Sequence, residues 1–502
     1  MKLREFLPVL CSTAGDRLKC ATFEDLEITR IVNDSRRAIP GCMFVALRGL
    51  ETDGHNFIPN AVRAGAVVVV SERQVPLRDG VVHFVLDDAR SRLAALAAIF
   101  HGNPTAKLHV TGITGTNGKT TTSFRTRAIL EAAGHPTGLL GTIAYRVRSR
   151  NIPAKNTTPD SLDIQDLFAQ MVETGTTHAV VEVSSHALAL HRVCNVAFNV
   201  AVFTCISDHE HLDFHLTFEN YRDAKARLFE MLPRGAVAVI NADDEHGAFM
   251  ADRAPAGCDK LWFGMSPAAD VTAEVLAMDM THTDYRLSTP AGSAEVRSSF
   301  VGRFNVMNDL AAAAAAHAAG IGLDHIVAGL ERRECVPGRL EQIPAPGFYS
   351  LVDYAHNEGA LQSVLAAIRG LARKRIIIVF GAGGDRDRSK RPKMGEVAQA
   401  YCDLIFLTAD NSRSEDTLRI ISEIQLGMNG SKPTHVIPDR ELAIRAAVDS
   451  AEPGDVVLVA GKGHETYQTI GQVKTPFDDR EVLRSAVAES APAQPAVVQS
   501  ET

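Results

Sequence analysis

Lysine and threonine directly behind a glycine-rich turn form a phosphate-handling combination. Residues 111–122 have it: Thr111-Gly-Ile-Thr-Gly-Thr-Asn-Gly-Lys-Thr-Thr-Thr122. Glycines let the backbone curl until several N–H groups point inward, and a helix N-terminus behind them adds positive potential. In such a turn Lys119 reaches the outer phosphates of a nucleotide and the Thr120 hydroxyl holds Mg²⁺. The generic spacing of glycine, four residues and Gly-Lys-Ser/Thr is not met, because Ile113 stands where the first glycine belongs. The apolar run Leu108-His109-Val110 predicts a strand before the turn, and Ser123 to Ala133 predicts a helix after it.

Magnesium beside a nucleotide needs a further oxygen ligand. Glu182 closes the apolar run Ala179-Val-Val-Glu-Val183 and precedes Ser184-Ser-His186, a position for such a ligand. A capping or ion-paired glutamate is the plainer alternative. Ser207-Asp-His-Glu-His-Leu-Asp-Phe-His215 gathers three histidines within nine residues. Zinc, magnesium chemistry and a plain surface loop are all open here, no cysteine partners the histidines, and the surface-loop reading is taken for His209 and His215. Lys225 follows Tyr221 by four residues on a predicted helix. A lysine there neutralises phosphate charge. It can also take up CO₂ as a carbamate and so become an anionic oxygen ligand, and the sequence does not choose between the two.

Three further clusters follow predicted strands towards the C-terminus. They are Gly381-Ala-Gly-Gly-Asp-Arg-Asp-Arg-Ser-Lys-Arg391, Asp410-Asn-Ser-Arg413 and Gly461-Lys-Gly-His-Glu465. Guanidinium groups suit a carboxylate and a glutamate suits an ammonium, so the mixture fits a zwitterion. Solvated loops are the alternative for each cluster taken singly.

These residues need rigid elements behind them. A chain of 502 residues suggests about three domains. Residues 1–107 read as a small α/β domain with strands at Met43 to Leu47 and Ala66 to Val70 and helices at Phe57 to Ala64 and Leu93 to Phe100. Residues 108–336 alternate strand and helix, which predicts a doubly wound, mostly parallel sheet carrying the phosphate turn. Ligands gather at the carboxyl ends of such strands, where Thr114, Glu182 and Ser207 fall. Val271 to Val301 alternates apolar and polar residues, as a hairpin insertion does. Residues 337–488 restart the pattern with strands at Tyr349 to Asp353, Arg375 to Phe380, Leu404 to Thr408 and Asp455 to Ala460, predicting a Rossmann-like domain. Residues 489–502, rich in Ala, Pro, Gln and Ser, read as a disordered tail.

Composition narrows the function classes. With 45% apolar and 22% charged residues the chain reads as soluble and globular. A net charge of −8 and the lack of a long basic run argue against nucleic acid. The eight cysteines are scattered with no C-x-x-C pair, which suggests free thiols in a reducing cytosol. Charges crowd the first residues too closely for a signal-peptide core. No apolar run approaches the ~20 residues needed to span a bilayer. A cytoplasmic monomer acting on small molecules is expected.

Taken together the motifs resemble the Mur ligase family, the ATP-dependent amino-acid-adding enzymes of peptidoglycan synthesis, over nearly all of residues 1–488. Thr114-Gly-Thr-Asn-Gly-Lys-Thr120 is similar to the family's own phosphate loop, which accounts for the missed generic spacing. Asn156-Thr-Thr-Pro159, Glu182-Val-Ser-Ser-His186, His211-Leu-Asp213, Gly302-Arg-Phe-Asn-Val-Met-Asn308 and Asp353-Tyr-Ala-His-Asn357 also resemble family motifs. Asp34-Ser-Arg36 and Asp410-Asn-Ser-Arg413 resemble the branch that adds the third stem residue, and the latter segment points to meso-diaminopimelate.

The resemblance implies roles for individual residues. Ser35, helped by the turn Leu50 to Thr52, would touch a uridine diphosphate group. Asn156, Thr157, Thr158, Ser184 and Arg192 would bind the UDP-MurNAc-dipeptide. Gly115, Thr116, Asn117, Gly118, Lys119, Thr120 and Thr121 would hold the ATP phosphates, with Asn308, Arg339 and Asp353 as further ATP contacts. Thr120, Glu182, His211 and a carbamylated Lys225 would serve Mg²⁺. Lys119, Lys225 and His211 would be catalytic. Arg386, Asp410, Asn411, Ser412, Arg413, Gly461 and Glu465 would surround diaminopimelate. Three positions depart from the family pattern: Ser412 and Glu358 replace prolines, and Leu190 stands where relatives can have glutamine. Loss of the proline at 412 predicts a freer loop. The implied reaction is amide formation through an acyl phosphate. The alternatives are the same reaction with lysine or another diamine, a folylpolyglutamate-type ligase, and a non-catalytic nucleotide-binding precursor sensor.

Overall fold

The computed structural model describes residues 1–11, 21–49, 52–207, 210–333 and 335–490. The chain divides into two compact units, one of Met1–Thr272, Ser288–Gly292 and Leu310–Gly329, the other of Ala273–Leu287, Ser293–Asp309 and the chain from Leu330 on.

The first unit holds two sheets. The smaller has four parallel strands in sequence order, Ile31–Val32, Met43–Val45, Val68–Ser71 and Val82–Val85. Alternation decides its two faces. Met43, Val45, Val68 and Val70 pack with Leu3, Phe6, Leu93 and Leu96, while Phe44 and Val69 pack with Ile58, Ala61 and Val62. Buried on both sides, these strands read as unbroken valine runs.

The larger sheet has eight strands in the order Asp259–Phe263, Val237–Asn241, Val200–Phe203, His109–Thr114, His178–Glu182, Thr137–Leu140, Ala144–Val147 and Arg150–Pro153. The first six are parallel and the last two pair antiparallel. The chain winds first to one side of His109–Thr114 and then to the other. The carboxyl end of that strand is therefore a switch point, where open α/β sheets collect ligands.

This strand runs further than the sequence predicts, through Gly112 and Ile113 to Thr114. A Cβ on Gly112 would lie 2.7 Å from the Phe198 ring, so that glycine serves packing and not the turn. The following helix, Lys119–Ala132, starts four residues earlier than expected, directly behind Gly118 at φ 84°. Thr137–Leu140, the antiparallel pair and Asp259–Phe263 are strands that the apolar runs did not single out. The expected hairpin insertion is a three-stranded sheet, Thr272–Met278, Thr283–Thr289 and Gly292–Ser298.

The second unit is built on a six-stranded sheet in the order Glu341–Ile343, Tyr349–Asp353, Val456–Ala460, Ile376–Phe380, Leu404–Leu407 and Thr434–Val436. Only the first pairing is antiparallel. Ile376, Ile378, Phe380 and Leu458 face helices Glu358–Leu371, Lys390–Tyr401 and Thr417–Gln425. Ile377, Val379, Val457 and Val459 face helices Arg440–Asp449 and Asp479–Ser490. Residues 489 and 490, expected in a disordered tail, close that last helix; residues 491–502 lie outside the described residues.

Candidate active site

Around the phosphate turn, backbone conformation comes first. Gly115 sits at φ 155°, and a Cβ there would meet the Thr204 hydroxyl at 1.9 Å. Thr116 N donates to the Cys205 carbonyl at 2.7 Å and the Thr204 hydroxyl to the Asn117 carbonyl at 2.6 Å. The neighbouring strand's end thus laces the turn open. Lys119 folds back over it, donating to the carbonyls of Gly115 at 2.8 Å and Thr116 at 2.9 Å. Thr121 is buried in the first helical turn.

Glu182 ends its strand fully buried. The Thr120 hydroxyl donates to its Oε2 at 2.8 Å, the Thr142 hydroxyl to the same oxygen at 2.9 Å, and the Thr142 N–H to Oε1 at 3.1 Å. A Cβ on Gly141 would reach within 2.1 Å of Oε1. Thr142 and Gly141, both unmarked by sequence reasoning, thus fix this carboxylate. Their signal was weak, a Gly-Thr pair after a short strand.

Lys225 is 1% exposed. Its Nζ donates to the Gly115 carbonyl at 2.8 Å, the same oxygen that accepts Lys119, and lies 4.5 Å from the Tyr221 ring centre. Burial, followed by the nearby Lys119, holds the amine well below the usual lysine range. The Tyr221 hydroxyl in turn bonds the Thr116 hydroxyl at 2.9 Å. His211, at φ 59°, stands 5.8 Å from Tyr221 and 5.0 Å from His186, ring centre to ring centre. Desolvation of its ring, followed by His186 and the two lysines, lowers His211 below the usual imidazole range, although the residue as a whole is exposed.

His215 is buried, with its Nε2 3.0 Å from the Ser185 hydroxyl, which corrects the surface-loop expectation. His209 and Asp208 lie outside the described residues, as do Leu50 and Glu51. Among the described residues no three His, Cys, Asp or Glu side chains form a metal-holding group by themselves.

Beside Glu182, the Thr158 hydroxyl donates to the Glu182 carbonyl at 2.8 Å and accepts from Ser184 N at 3.0 Å. The Ser184 hydroxyl caps helix Ser185–Ala189 by accepting from Ala187 N at 3.2 Å. Thr157 meets the Thr142 hydroxyl at 3.1 Å, and Asn156 is tied to Tyr145, whose hydroxyl donates to its carbonyl at 2.6 Å. Arg192 donates to the Thr158 carbonyl at 3.1 Å and pairs with Asp160 at 2.9 Å. These residues therefore form one connected group running from Glu182 outward. Ser35 lies apart from them, half-buried in the turn Ser35–Arg37, which the Asp34 carboxylate caps by accepting from Arg36 N at 2.9 Å.

In the second unit, Asn308 donates to Asn305 at 3.1 Å, and the Arg339 guanidinium lies 4.6 Å from the Tyr354 ring centre. Asp353 is buried and accepts from the backbone of Leu340 at 2.7 Å and Ala355 at 2.8 Å; burial raises its carboxyl, and Arg339 opposes that rise.

Asp410, Asn411, Ser412, Arg413, Gly461 and Glu465 lie together at the carboxyl ends of two strands of this unit. Asn411 donates to Glu465 Oε2 at 2.8 Å, and Gly461, at φ 118°, leaves room for Asp410 Oδ2, which a Cβ would meet at 2.7 Å. Arg413, at φ 49°, donates to the Gly384 carbonyl at 2.7 Å. Ser412 is buried with its hydroxyl 2.6 Å from that of Thr417, so the segment is tethered and not freer, contrary to expectation.

The basic turn 381–391 is also different from its sequence reading. Arg391 is buried on Glu415 and Glu423, Arg388 pairs with Glu415, and Lys390 donates to the His356 carbonyl. These cations are structural, while Arg386 is exposed. Glu358 opens a helix and pairs with Lys393 at 3.1 Å. Lys462, fully buried between Asn411 and Glu465, was missed, because a lysine flanked by glycines reads as a loop cation.

Three domain descriptions match the chain in order: Mur ligase family, catalytic domain, at residues 27–101; Mur ligase middle domain at 113–316; and Mur ligase, glutamate ligase domain, at 338–463. The chain belongs to the Mur ligase family. The UDP-N-acetylmuramoyl-L-alanyl-D-glutamate–2,6-diaminopimelate ligase of Geobacillus kaustophilus (strain HTA426) is 45% identical over 471 residues, covering 92% of this chain and 95% of that relative. The ligase of the same name from Geobacter metallireducens is 44% identical over 488 residues, with the same two coverages. A solved structure, again of a UDP-N-acetylmuramoyl-L-alanyl-D-glutamate–2,6-diaminopimelate ligase, superposes with a TM-score of 0.71 at 32% identity, covering 97% of this chain and 99% of the other. Among the described residues no helix of this Mur ligase is long and apolar enough to cross a membrane.

Proposed function

We propose that this Mur ligase adds meso-diaminopimelate to UDP-MurNAc-L-Ala-D-Glu at the expense of ATP. The observation that carries the reading is the convergence of Lys119 and Lys225 on the Gly115 carbonyl, next to a Glu182 already gripped by Thr120. Phosphoryl transfer to a carboxylate brings two anions together, and a cation fixed at a nucleotide turn, here Lys119, offsets their repulsion. The γ-phosphoryl group passes to the D-Glu side-chain carboxylate and ADP leaves. An amine of the amino acid then attacks the acyl phosphate, the C–N bond forms, phosphate departs and the amine loses its proton.

Within this reading Gly115 to Thr121 cradle the phosphates, and Asn308, Arg339 and Asp353 contact the nucleotide. Thr120 and Glu182 suit Mg²⁺. The hydroxyl and the carboxylate are hydrogen-bonded to each other at 2.8 Å, and both are hard oxygen donors of the kind magnesium takes. Neutral His211 adds a lone pair. Bound there, magnesium would neutralise phosphate oxygens. Lys225, buried with its amine favoured neutral, is suited to react with CO₂, and the carbamate would supply an anionic oxygen without a competing positive charge.

Ser35 serves the uridine diphosphate, and Asn156, Thr157, Thr158, Ser184 and Arg192 the rest of the precursor. Arg386, Arg413, Asp410, Asn411, Gly461 and Glu465 receive the amino acid. We assign these tasks to segments 1–107, 108–336 and 337–488 respectively, in a cytoplasmic monomer. The test is phosphate release measured with ATP, precursor and either meso-diaminopimelate or L-lysine. Release should require all three components and prefer diaminopimelate by at least an order of magnitude. Equal use of lysine would refute the amino acid, and release without any amino acid would refute the ligase reaction.

A further inference from the structure

Lys462 has no role in the reading above, yet it is one of the most enclosed charged side chains of the second unit. It is 0% exposed. Its Nζ donates to Glu465 Oε2 at 2.9 Å and to Asn411 Oδ1 at 3.2 Å, and lies 5.5 Å from the Tyr467 ring centre. Asn411 closes the triangle by donating its Nδ2 to the same Glu465 oxygen at 2.8 Å. The amide is locked from the other side too, because Thr469 N donates to Asn411 Oδ1 at 2.9 Å. Both donors thus converge on one oxygen of Glu465, Oε2, and neither of them bonds Oε1.

A buried lysine has to justify its desolvation through its partners. Here one partner is a carboxylate whose side chain is 17% exposed, on the segment assigned above to the amino acid. We propose that Lys462 is a positioning residue for the amino-acid substrate. It holds the Glu465 carboxylate turned so that Oε1 accepts the substrate's ammonium group. This rests on the reading of Glu465 as an amino-acid contact. It adds that the contact is pre-aimed by a cation that never touches the ligand, so little ordering is left for binding to accomplish.

The test is steady-state kinetics on the full-length ligase with Lys462→Met, Lys462→Arg, Glu465→Gln and the double variant Lys462→Met/Glu465→Gln. Lys462→Met should raise KM for meso-diaminopimelate by about 30-fold, the effect of losing one charge-assisted bond. KM for ATP and for the precursor should stay within about two-fold and saturated kcat within about three-fold, margins far below one such bond. Lys462→Arg should recover most of the loss. Because Lys462 acts through Glu465, the double variant should be no worse than Glu465→Gln alone. Additive losses, a uniform rise in all three KM values, or an unchanged diaminopimelate KM in Lys462→Met would each overturn the proposal. If L-lysine proves the better amino acid, the same cycle run with L-lysine still reads the coupling, so an error in the substrate and an error about Lys462 are separable.

Discussion

Gly141→Ala subjects the phosphate turn's acid partner to a defined push. The added Cβ would sit 2.1 Å from Glu182 Oε1, against the 3.4 Å of ordinary contact. The oxygen therefore has to retreat by about 1 Å, and the backbone at 141, which is not left-handed, offers no strain to relieve by moving instead. Glu182 has little freedom to retreat harmlessly. It is fully buried and accepts at 2.8, 2.9 and 3.1 Å. A 1 Å displacement of Oε1 takes the Thr142 N–H bond beyond hydrogen-bonding range, and the two bonds to Oε2 are strained as the carboxylate turns with it. Bonds to a charged acceptor are worth about 1.5–3 kcal/mol each, so a net loss of ~3 kcal/mol is expected even with partial rehydration. Read as kcat/KM for ATP in a coupled phosphate-release assay, that is a fall of more than about 100-fold. Thr142→Val, which removes one hydroxyl donor and keeps the shape, should cost about ten-fold. Thermal unfolding of both variants separates a displaced carboxylate from a lost fold. A kcat/KM within about five-fold of the parent in folded Gly141→Ala would refute the claim that this carboxylate is fixed for nucleotide work.

Lys225→Ala should nearly abolish turnover, whereas Lys225→Glu should retain a measurable fraction by restoring an anionic oxygen; intact-protein mass spectrometry under bicarbonate checks the carbamate, and full activity of Lys225→Ala would exclude its role. Arg413→Ala should raise KM for diaminopimelate far more than for ATP, by the ~2–5 kcal/mol of a charge-assisted pair left half-made; equal effects on both substrates count against the assignment. Stability should fall in mild acid because of the cluster around His178, whose ring centre lies 5.1 Å from that of His109 and 4.3 Å from that of His135. Burial first, then the neighbouring imidazoles, lower His178 to about 4, so the native state stays neutral while the unfolded chain takes up a proton below pH ~6.5. Its contribution is complete above that pH and about 3 kcal/mol is lost by pH ~4; urea midpoints at pH 7.5 and 5 should diverge in the parent and less so in His178→Gln, and identical divergence would exclude the cluster as the cause.

Much of this was legible in the residues. Buried parallel strands announce themselves as runs such as Val68 to Val70 or Ile376 to Val379, because both faces are covered. Gly-Lys-Thr before a helix marked the turn at 118–120 for the same physical reason that makes it work. The edges were less visible: Thr137–Leu140 is short and contains a glycine, and Asp259–Phe263 is half exposed, so neither has a clear period. Partner choice was less visible still. Nothing in Arg388 or Arg391 distinguishes a cation for a ligand from one buried against Glu415, since the acid lies more than twenty residues away. His215 misled for a related reason: a polar sequence neighbourhood says little about what a folded loop is pressed against. Ser412 shows that a missing proline can be offset by a hydroxyl, provided Thr417 is there to meet it.

The Gly115 carbonyl, gripped at once by Lys119 and Lys225, has a thermodynamic consequence. Both lysine donors at the turn share a peptide oxygen as partner. On the proposed reading a polyphosphate would not fill idle donors; it would trade places with a peptide oxygen. Affinity would then be the small remainder of an exchange between two oxygen partners.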